Sequence, residues 1–224
     1  MTDRDPLWAL VPVRSLGDGK RRLSPVLAPD ERRALVRSML HDVLDVLRRC
    51  RRVDRVAVVT GDAAAAAVAA AHGAVPLPET LEGGLNGSLD AARARLLCRH
   101  PRAHVLMMPA DLPGVTPAEL ESTVMAADAD VVLARSTDGG TNAMLLRPIA
   151  SLPFDFGPDS CRRHRDAAIA AGRSVRVLDS PGLALDIDRP ADLAAFLSRG
   201  GSSRTIDLLH RLRIPDRLLV GAAP

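Results

Sequence analysis

The chain has no tyrosine, one tryptophan, three phenylalanines, three cysteines and, among 30 cationic residues, a single lysine. Each shortage removes a class of explanation. Proteins that grip nucleic acid without sequence preference stack bases on aromatic side chains along a basic groove, and 2% aromatics leave little to stack on. Cys50, Cys98 and Cys161 are odd in number and stand in no CxxC or zinc spacing, so neither a disulfide framework nor a metal knuckle is supported. Long apolar runs are missing as well. The alanine-rich stretch 63–71 is too short and too weakly hydrophobic to span a bilayer, and nothing reads as a signal peptide. The expectation is a cytoplasmic protein without nucleic-acid or membrane partners. GxxxxGK[ST], GxGxxG and any Ser-His-Asp or Cys-His arrangement are also lacking, which removes the common phosphate loops and a nucleophilic dyad.

What remains is a globular composition: 224 residues, 47% hydrophobic, 25% charged, net charge +3. At this length one α/β domain with a full core is the default. Arginine supplies 29 of the 30 cations, and together with abundant alanine this reads as a compositional bias of the source. Arg48, Arg49, Arg51, Arg52 and Arg55 cluster at the expected end of a helix, where cations complement the dipole. That favours a solvated helix end over a nucleic-acid patch.

Along the chain, apolar runs alternate with helical stripes. Residues 7–13 (LWALVPV), 53–60, 75–77, 104–108 (HVLMM), 131–134, 143–147, 175–178 and 183–185 read as strands. Pro29 with Asp30 and Glu31 opens a long helix striped by Leu35, Met39, Val43, Leu44 and Leu47. Asp62 caps the alanine-rich helix, Asn86 or Ser88 is expected to cap the next, and Thr116-Pro117-Ala118-Glu119 has the form of a capping box. Further helices are expected at 160–171 and from Pro190. The alternation implies a mostly parallel sheet covered on both faces, a single domain over residues 1–198. Residues 199–224 read as a linker and a short amphipathic tail. The tail and the alanine-rich helix are surfaces on which two copies could pair.

Ligands of an open parallel sheet bind beyond the carboxyl ends of its strands, and three features fall there. The first is the loop Arg14-Ser15-Leu16-Gly17-Asp18-Gly19-Lys20-Arg21-Arg22-Leu23, whose glycines and cations suit a phosphate, or which is simply a solvated basic loop. The second is Asp111 in PADLP, placed to hold Mg²⁺ or to serve as a helix N-cap or turn aspartate. The third is Asp186-Ile187-Asp188. Alternation along an extended segment points both carboxylates to one face, although Asp188 also reads as the cap before Pro190. With Asp111 the pair makes a three-carboxylate set for one or two Mg²⁺ ions. Asp138–Asn142 (DGGTN) and Phe156–Ser160 (FGPDS) are two further anion-friendly turns, and His164 lies one helical turn beyond Ser160 on the same face, where a lone histidine is more often structural.

In this order the pieces resemble the phosphoenolpyruvate/2-phospho-L-lactate guanylyltransferase family of coenzyme F-420 biosynthesis, within the nucleotidyltransferase superfamily that includes the molybdenum-cofactor guanylyltransferases. The matching stretches are VPVRSLGDGKRRL (11–23), Leu85-Asn86, PADLP (109–113), GTN (140–142), FGPDS (156–160) with Arg163-His164, and LDIDRPADL (185–193). The resemblance implies a Rossmann-like mixed sheet of the nucleotide-diphospho-sugar transferase type. It implies GTP over the first loop, with Arg14, Lys20, Arg22 and Asn86 toward the nucleotide, and Asp111, Asp186 and Asp188 as metal ligands. It also places Thr141, Gly157, Ser160 and His164 around a phosphorylated three-carbon acid. Two departures lie in the first loop: Arg14 where lysine is common, and Arg21 where threonine is frequent. The longer GG-x-S-x-RMG loop of the sugar and molybdenum-cofactor relatives is missing.

The expected reaction is transfer of GMP from GTP to the acid's phosphate with release of pyrophosphate. Phosphoenolpyruvate is the first choice, and 2-phospho-L-lactate or 3-phospho-D-glycerate follow. Alternatives are another nucleotidyltransferase, of molybdenum-cofactor or sugar-phosphate type, and a non-catalytic nucleotide-binding module. The carboxylate set speaks against the module, which would need no metal ligands. The acid's phosphate is already an anionic nucleophile, so a missing catalytic dyad costs the enzyme reading little.

Overall fold

The computed structural model describes residues 5–17, 19–80 and 82–220. Seven strands form one sheet: β1 (Leu7–Pro12), β2 (Arg55–Thr60), β3 (Val75–Pro78), β4 (His104–Met107), β5 (Val131–Arg135), β6 (Thr141–Leu146) and β7 (Val175–Leu178). Their order is β3-β2-β1-β4-β6-β5-β7. All pairings are parallel except those of β6, which runs antiparallel to β4 and to β5. The chain leaves β1 toward β2 on one side and returns to β4 on the other. That reversal opens a crevice beyond the carboxyl ends of β1 and β4. Because β6 runs backwards, its first residues, Thr141 and Asn142, also lie at this edge.

Period-two alternation sorts the strands onto two cores. Ala9, Val11, Leu106, Val132 and Leu145 face α1 (Pro29–Arg49) and α2 (Ala63–Ala71); Trp8, Leu10, Met107, Leu133 and Met144 face α3 (Gly84–Arg99). Helix α1 forms for local reasons. Pro29 takes the first position, where no N–H is needed, and the Glu31 carboxylate accepts from the Ala28 N–H at 2.8 Å. Arg48 and Arg49 stand in its last turn. Its buried stripe, Leu35, Met39, Leu40, Val43, Leu44 and Leu47, stabilises the fold by about 1.5–3 kcal/mol per side chain.

The expected starts and stops hold for most elements, with three corrections. Helix α3 begins at Gly84, turned in by Gly83 at φ 73°, so Asn86 and Ser88 lie inside it rather than capping it. Thr116 caps α4 (Pro117–Leu120, continued by a π-helical turn over Glu121–Met125) through its hydroxyl, but the Glu119 carboxylate does not close the box. It accepts instead from Gly182 N–H at 2.7 Å and from the Ser180 hydroxyl. That contact explains the third correction. Residues 183–185 are no strand: Pro181–Ala184 forms a helical turn whose open Gly182 N–H donates to Glu119.

Helices α5 (Ser160–Ala170), α6 (that turn, Pro181–Ala184) and α7 (Pro190–Ser198) follow. Residues 200–203 carry the chain back to α1, where α8 (Arg204–Arg211) docks. Asp42 of α1 accepts from the N–H groups of Arg204 and Thr205 at 3.0 and 2.9 Å, and Ile206 and Leu209 enter the α1 core. In α9 (Ile214–Val220), Arg217 pairs with both carboxylate oxygens of Glu31 at 2.7 and 2.8 Å. The expected tail is thus packed onto the domain.

Candidate active site

The loop after β1 is held from below by Asp62. Its carboxylate accepts from the Leu16 N–H at 2.8 Å and the Ser15 hydroxyl at 3.4 Å while capping α2 through Ala64 and Ala65. The Leu16 N–H first, and then the two helix N–H groups, hold this carboxyl below the usual aspartate range. Leu16 and Leu23 anchor the loop in the core. Between them Lys20 adopts the left-handed conformation, φ 57°, which aims its side chain inward as a short 3-10 turn begins at Arg21.

The Lys20 amine lies 2.6 Å from Asp111 Oδ2 and 2.5 Å from Asp188 Oδ1, with only 11% of the side chain exposed. Burial alone would lower its pKa; the charges of Asp111 and Asp188 outweigh burial and raise it. Arg22 adds a longer contact, 3.9 Å to Asp188 Oδ2, and Arg14 stands exposed on the same loop.

Three carboxylates converge here. One ligand oxygen from each of Asp111, Asp186 and Asp188 lies within 4.8 Å of the others. The turn after β4 and the segment before α7 are tied by the Ile187 N–H donating to the Asp111 carbonyl at 3.1 Å. Asp188 is not the helix cap that its position suggested. Asp192 takes that role, accepting from the N–H groups of Asp188 and Arg189 at 2.9 and 2.7 Å, and the Asp188 carboxylate is left to face the cluster. Asp186 is oriented by Asn142, whose amide donates to it at 3.1 Å and to the Leu183 carbonyl at 2.8 Å. Burial raises the Asp186 pKa, and the neighbouring charges of Asp111 and Asp188 add to the rise. Asp111 Oδ1 is buried without a hydrogen-bond partner. One ammonium against three carboxylates, hard oxygen donors and an orphaned oxygen together fit a divalent cation.

Along β6, Asn142 points to this cluster and its neighbour Thr141 to the opposite side, where a second, uncharged group assembles. Thr141 Oγ1 contacts His164 Nδ1 at 3.1 Å and Ser160 Oγ at 3.1 Å, all three residues being buried. His164 Nε2 accepts from the Asp155 N–H at 3.0 Å. Burial pushes the His164 imidazole down to about 4, so the ring is neutral at physiological pH. Gly157, at φ 143°, makes the turn that delivers Ser160 to the start of α5, a conformation that side chains rarely adopt. Asn86 clamps this turn from α3, donating to the Phe156 carbonyl at 3.0 Å and accepting from the Phe156 N–H at 2.8 Å. Arg163 braces it from α5 through Asp155 at 2.6 Å.

The arrangement joins a pole of carboxylates and one ammonium to a pole of hydroxyls and backbone turns at one edge of the sheet. The family model for guanylyl transferases of the CofC-like type matches residues 7–219. The chain belongs to the CofC-like guanylyl transferase family. Relatives are all named guanylyltransferases and differ in the acid named. A phosphoenolpyruvate guanylyltransferase from Conexibacter woesei is 38% identical over 92% of this chain and 96% of its own. A 2-phospho-L-lactate guanylyltransferase from Methanothermobacter thermautotrophicus is 36% identical over 96% and 98%. A 3-phospho-D-glycerate guanylyltransferase from Phenylobacterium zucineum is 37% identical over 92% and 96%. In fold, the chain is similar to a candidate nucleotide-diphospho-sugar transferase from Desulfovibrio desulfuricans G20, with TM-score 0.75, 19% identity and coverage of 96% and 97%. It is also similar to Rv0371C from Mycobacterium tuberculosis, solved in complex with manganese, with TM-score 0.54, 24% identity and coverage of 86% and 98%.

The CofC-like family's motifs thus fall on one edge of the sheet. The structure brings Lys20, Arg22, Asp111, Asp186 and Asp188 together, and separately Thr141, Gly157, Ser160 and His164. Asn86 reaches neither group directly, since its amide is committed to the Phe156 backbone. Three contributors escaped the sequence reading: Asn142 as the residue that orients Asp186, Asp62 as the tether of the first loop, and the Asp155 N–H that meets His164. Asn142 was visible inside the GTN motif, but nothing in its spacing pointed to a partner 44 residues away.

Proposed function

We propose that the protein transfers GMP from GTP to the phosphate of a phosphorylated three-carbon acid, with phosphoenolpyruvate preferred. One observation carries the reading: a buried lysine among three convergent carboxylates lies at the sheet's switch point, directly across β6 from the Thr141–Ser160 hydroxyl pair. A phosphate oxygen of the acid attacks the α-phosphorus of GTP, the new P–O bond forms, and the bond to the β-phosphate breaks as pyrophosphate leaves. No general base is required, because the attacking oxygen is already ionised.

What the reaction needs is two polyanions held in line. Lys20 and Arg22 offer positive charge on the nucleotide side, and Arg14 extends it along the loop. Thr141, Ser160 and the turn at Gly157 would hold the acid, while Asn86 keeps that turn in place. Asp111, Asp186 and Asp188 would hold a divalent cation, which we take to be Mg²⁺. When bound it would offset charge on the transferring phosphates. The name of the Conexibacter relative supports phosphoenolpyruvate, and the family resemblance points to coenzyme F-420 assembly as the use of the product. Among the described residues no helix is long and apolar enough to cross a membrane. We place the reaction in the cytoplasm, where GTP and phosphoenolpyruvate are made and used.

The test is pyrophosphate release from the purified protein with GTP, Mg²⁺ and each of the three acids in turn. The highest kcat/KM is expected with phosphoenolpyruvate. Release with none of the three would overturn the proposal, and faster turnover with CTP or ATP would overturn its guanine preference.

A further inference from the structure

We propose that His164 is a positioning residue: it fixes the direction of the Thr141–Ser160 hydroxyl pair so that the pair keeps one O–H free to donate to the bound phospho-acid. This rests on the functional reading above for the identity of the ligand, but the proton count rests on the hydrogen-bond geometry and burial of the ring.

A backbone N–H can only donate. The Asp155 N–H, 3.0 Å from Nε2, therefore requires a bare nitrogen there, and the one proton of a neutral imidazole sits on Nδ1. Reversing the tautomer would set two donors against each other in a buried site and orphan the Asp155 N–H. That disfavours the reverse form on the order of ten- to a hundredfold. The ring cannot swing away, because Phe156 packs edge-on against it with centroids 4.9 Å apart. Protonation at both nitrogens is opposed by burial, which holds the imidazole at about 4. Of the charged groups that act on the ring, Asp155 turns its carboxylate to Arg163, which cancels much of its pull.

Nδ1–H faces Thr141 Oγ1 at 3.1 Å and so donates to it. The two hydroxyls then hold two protons of their own. One forms the bond between Ser160 Oγ and Thr141 Oγ1 at 3.1 Å. The other has no further partner among the described residues. Had the imidazole accepted at Nδ1, that second proton would have gone to the ring, and the pair would present only lone pairs to an anion. Fixing the tautomer through Asp155 thus converts a neutral hydroxyl pair into a donor, as a phosphate or carboxylate oxygen requires. Asp155 belongs to the turn that Asn86 and Arg163 brace, so the same contacts that shape the turn also set the proton's direction.

Two measurements test this. In protein labelled with ¹⁵N-histidine and free of substrate, long-range ¹H–¹⁵N correlation at pH 7 should show one ring protonated at Nδ1 and bare at Nε2. That ring is identified by its loss in His164→Asn. A proton on Nε2, or a doubly protonated ring, would overturn the proposal whatever the substrate proves to be. The second measurement is a kinetic cycle with GTP and phosphoenolpyruvate. Thr141→Val should raise the KM for the acid about ten- to a hundredfold and leave that for GTP unchanged, the loss of one hydrogen bond to a charged group. His164→Leu should raise it about three- to tenfold. The double variant should be no worse than Thr141→Val, because His164 acts through Thr141. Multiplying effects would mean a merely structural histidine. Should no acid be a substrate, the functional reading fails while the tautomer measurement still decides this one.

Discussion

Replacing the single lysine by arginine in a chain that otherwise uses arginine 29 times is the most informative single change available. Lys20→Arg keeps the charge and the local composition, so any loss must come from shape. The Lys20 amine sits 2.6 and 2.5 Å from two carboxylates, on a side chain that is 11% exposed and starts from a left-handed backbone position. An ammonium presents three donors tetrahedrally, enough for Asp111, Asp188 and one phosphate oxygen. In arginine the guanidinium carbon falls where the amine was, and its nitrogens reach one bond further in a plane. The fork can still pair with the carboxylates, which keeps the fold. It cannot serve them and a phosphate in the same directions. Forfeiting one charged hydrogen bond of about 1.5–3 kcal/mol in the transition state predicts a drop of roughly ten- to a hundredfold in kcat/KM. The assay is pyrophosphate release with GTP and phosphoenolpyruvate, alongside thermal melting by circular dichroism. Activity within threefold of the parent would refute the reasoning and return Lys20 to a compositional accident. A collapsed melting temperature would show that the pairing itself, not its geometry, was lost.

Other expectations follow from the same contacts. Asn86→Ala removes both bonds to the Phe156 backbone; KM for the acid should rise while that for GTP stays within twofold, with a stability loss of about 1–2 kcal/mol in urea unfolding. Asp42→Ala leaves the first N–H groups of α8 without their carboxylate in a buried place. It should cost about 2 kcal/mol, seen as a melting point lower by roughly 4–8 °C, without changing KM for either substrate. His164, held to about 4 against an ordinary value near 6.5, refuses a proton that the unfolded chain accepts. Its share of stability is therefore complete above pH 6.5 and falls as the pH drops toward 4. At pH 4.5 the parent should have lost about 2–3 kcal/mol of its advantage over His164→Asn, measured by denaturant unfolding at pH 7 and 4.5.

Much of the site was legible because its parts are local. A carboxylate just after an apolar strand, as Asp111 stands after HVLMM, must lie at the strand's carboxyl end. A glycine-bearing basic loop after the first strand must lie near it. The Asp186–Asp188 pair was placed correctly for a reason that only partly survives. The two carboxylates do share a face, yet the residues before them form a helical turn, not a strand. That turn is set by the reach of Glu119 to Gly182, a contact over 63 residues that no local pattern announces. Asn86 shows a partner that local pattern did not announce. Its place beside the family motif suggested a nucleotide contact, and the folded chain also closes its amide on a backbone 70 residues away.

By itself, then, the sequence determined the class of fold, the position of each candidate group at a strand end, and the chemistry on offer. Hydrophobic period, caps and the sign of side-chain charge are properties of neighbours along the chain. The tertiary structure decided which groups meet and in what direction their protons point. The backwards run of β6 brings Thr141 and Asn142 to the edge reached by the ends of β1 and β4. Asp192 relieves Asp188 of capping, and a backbone N–H at Asp155 selects the tautomer of His164. The lysine that stood out by scarcity acquired its meaning the same way. Its partners, Asp111 and Asp188, lie 91 and 168 residues downstream, and only a folded sheet edge closes those distances.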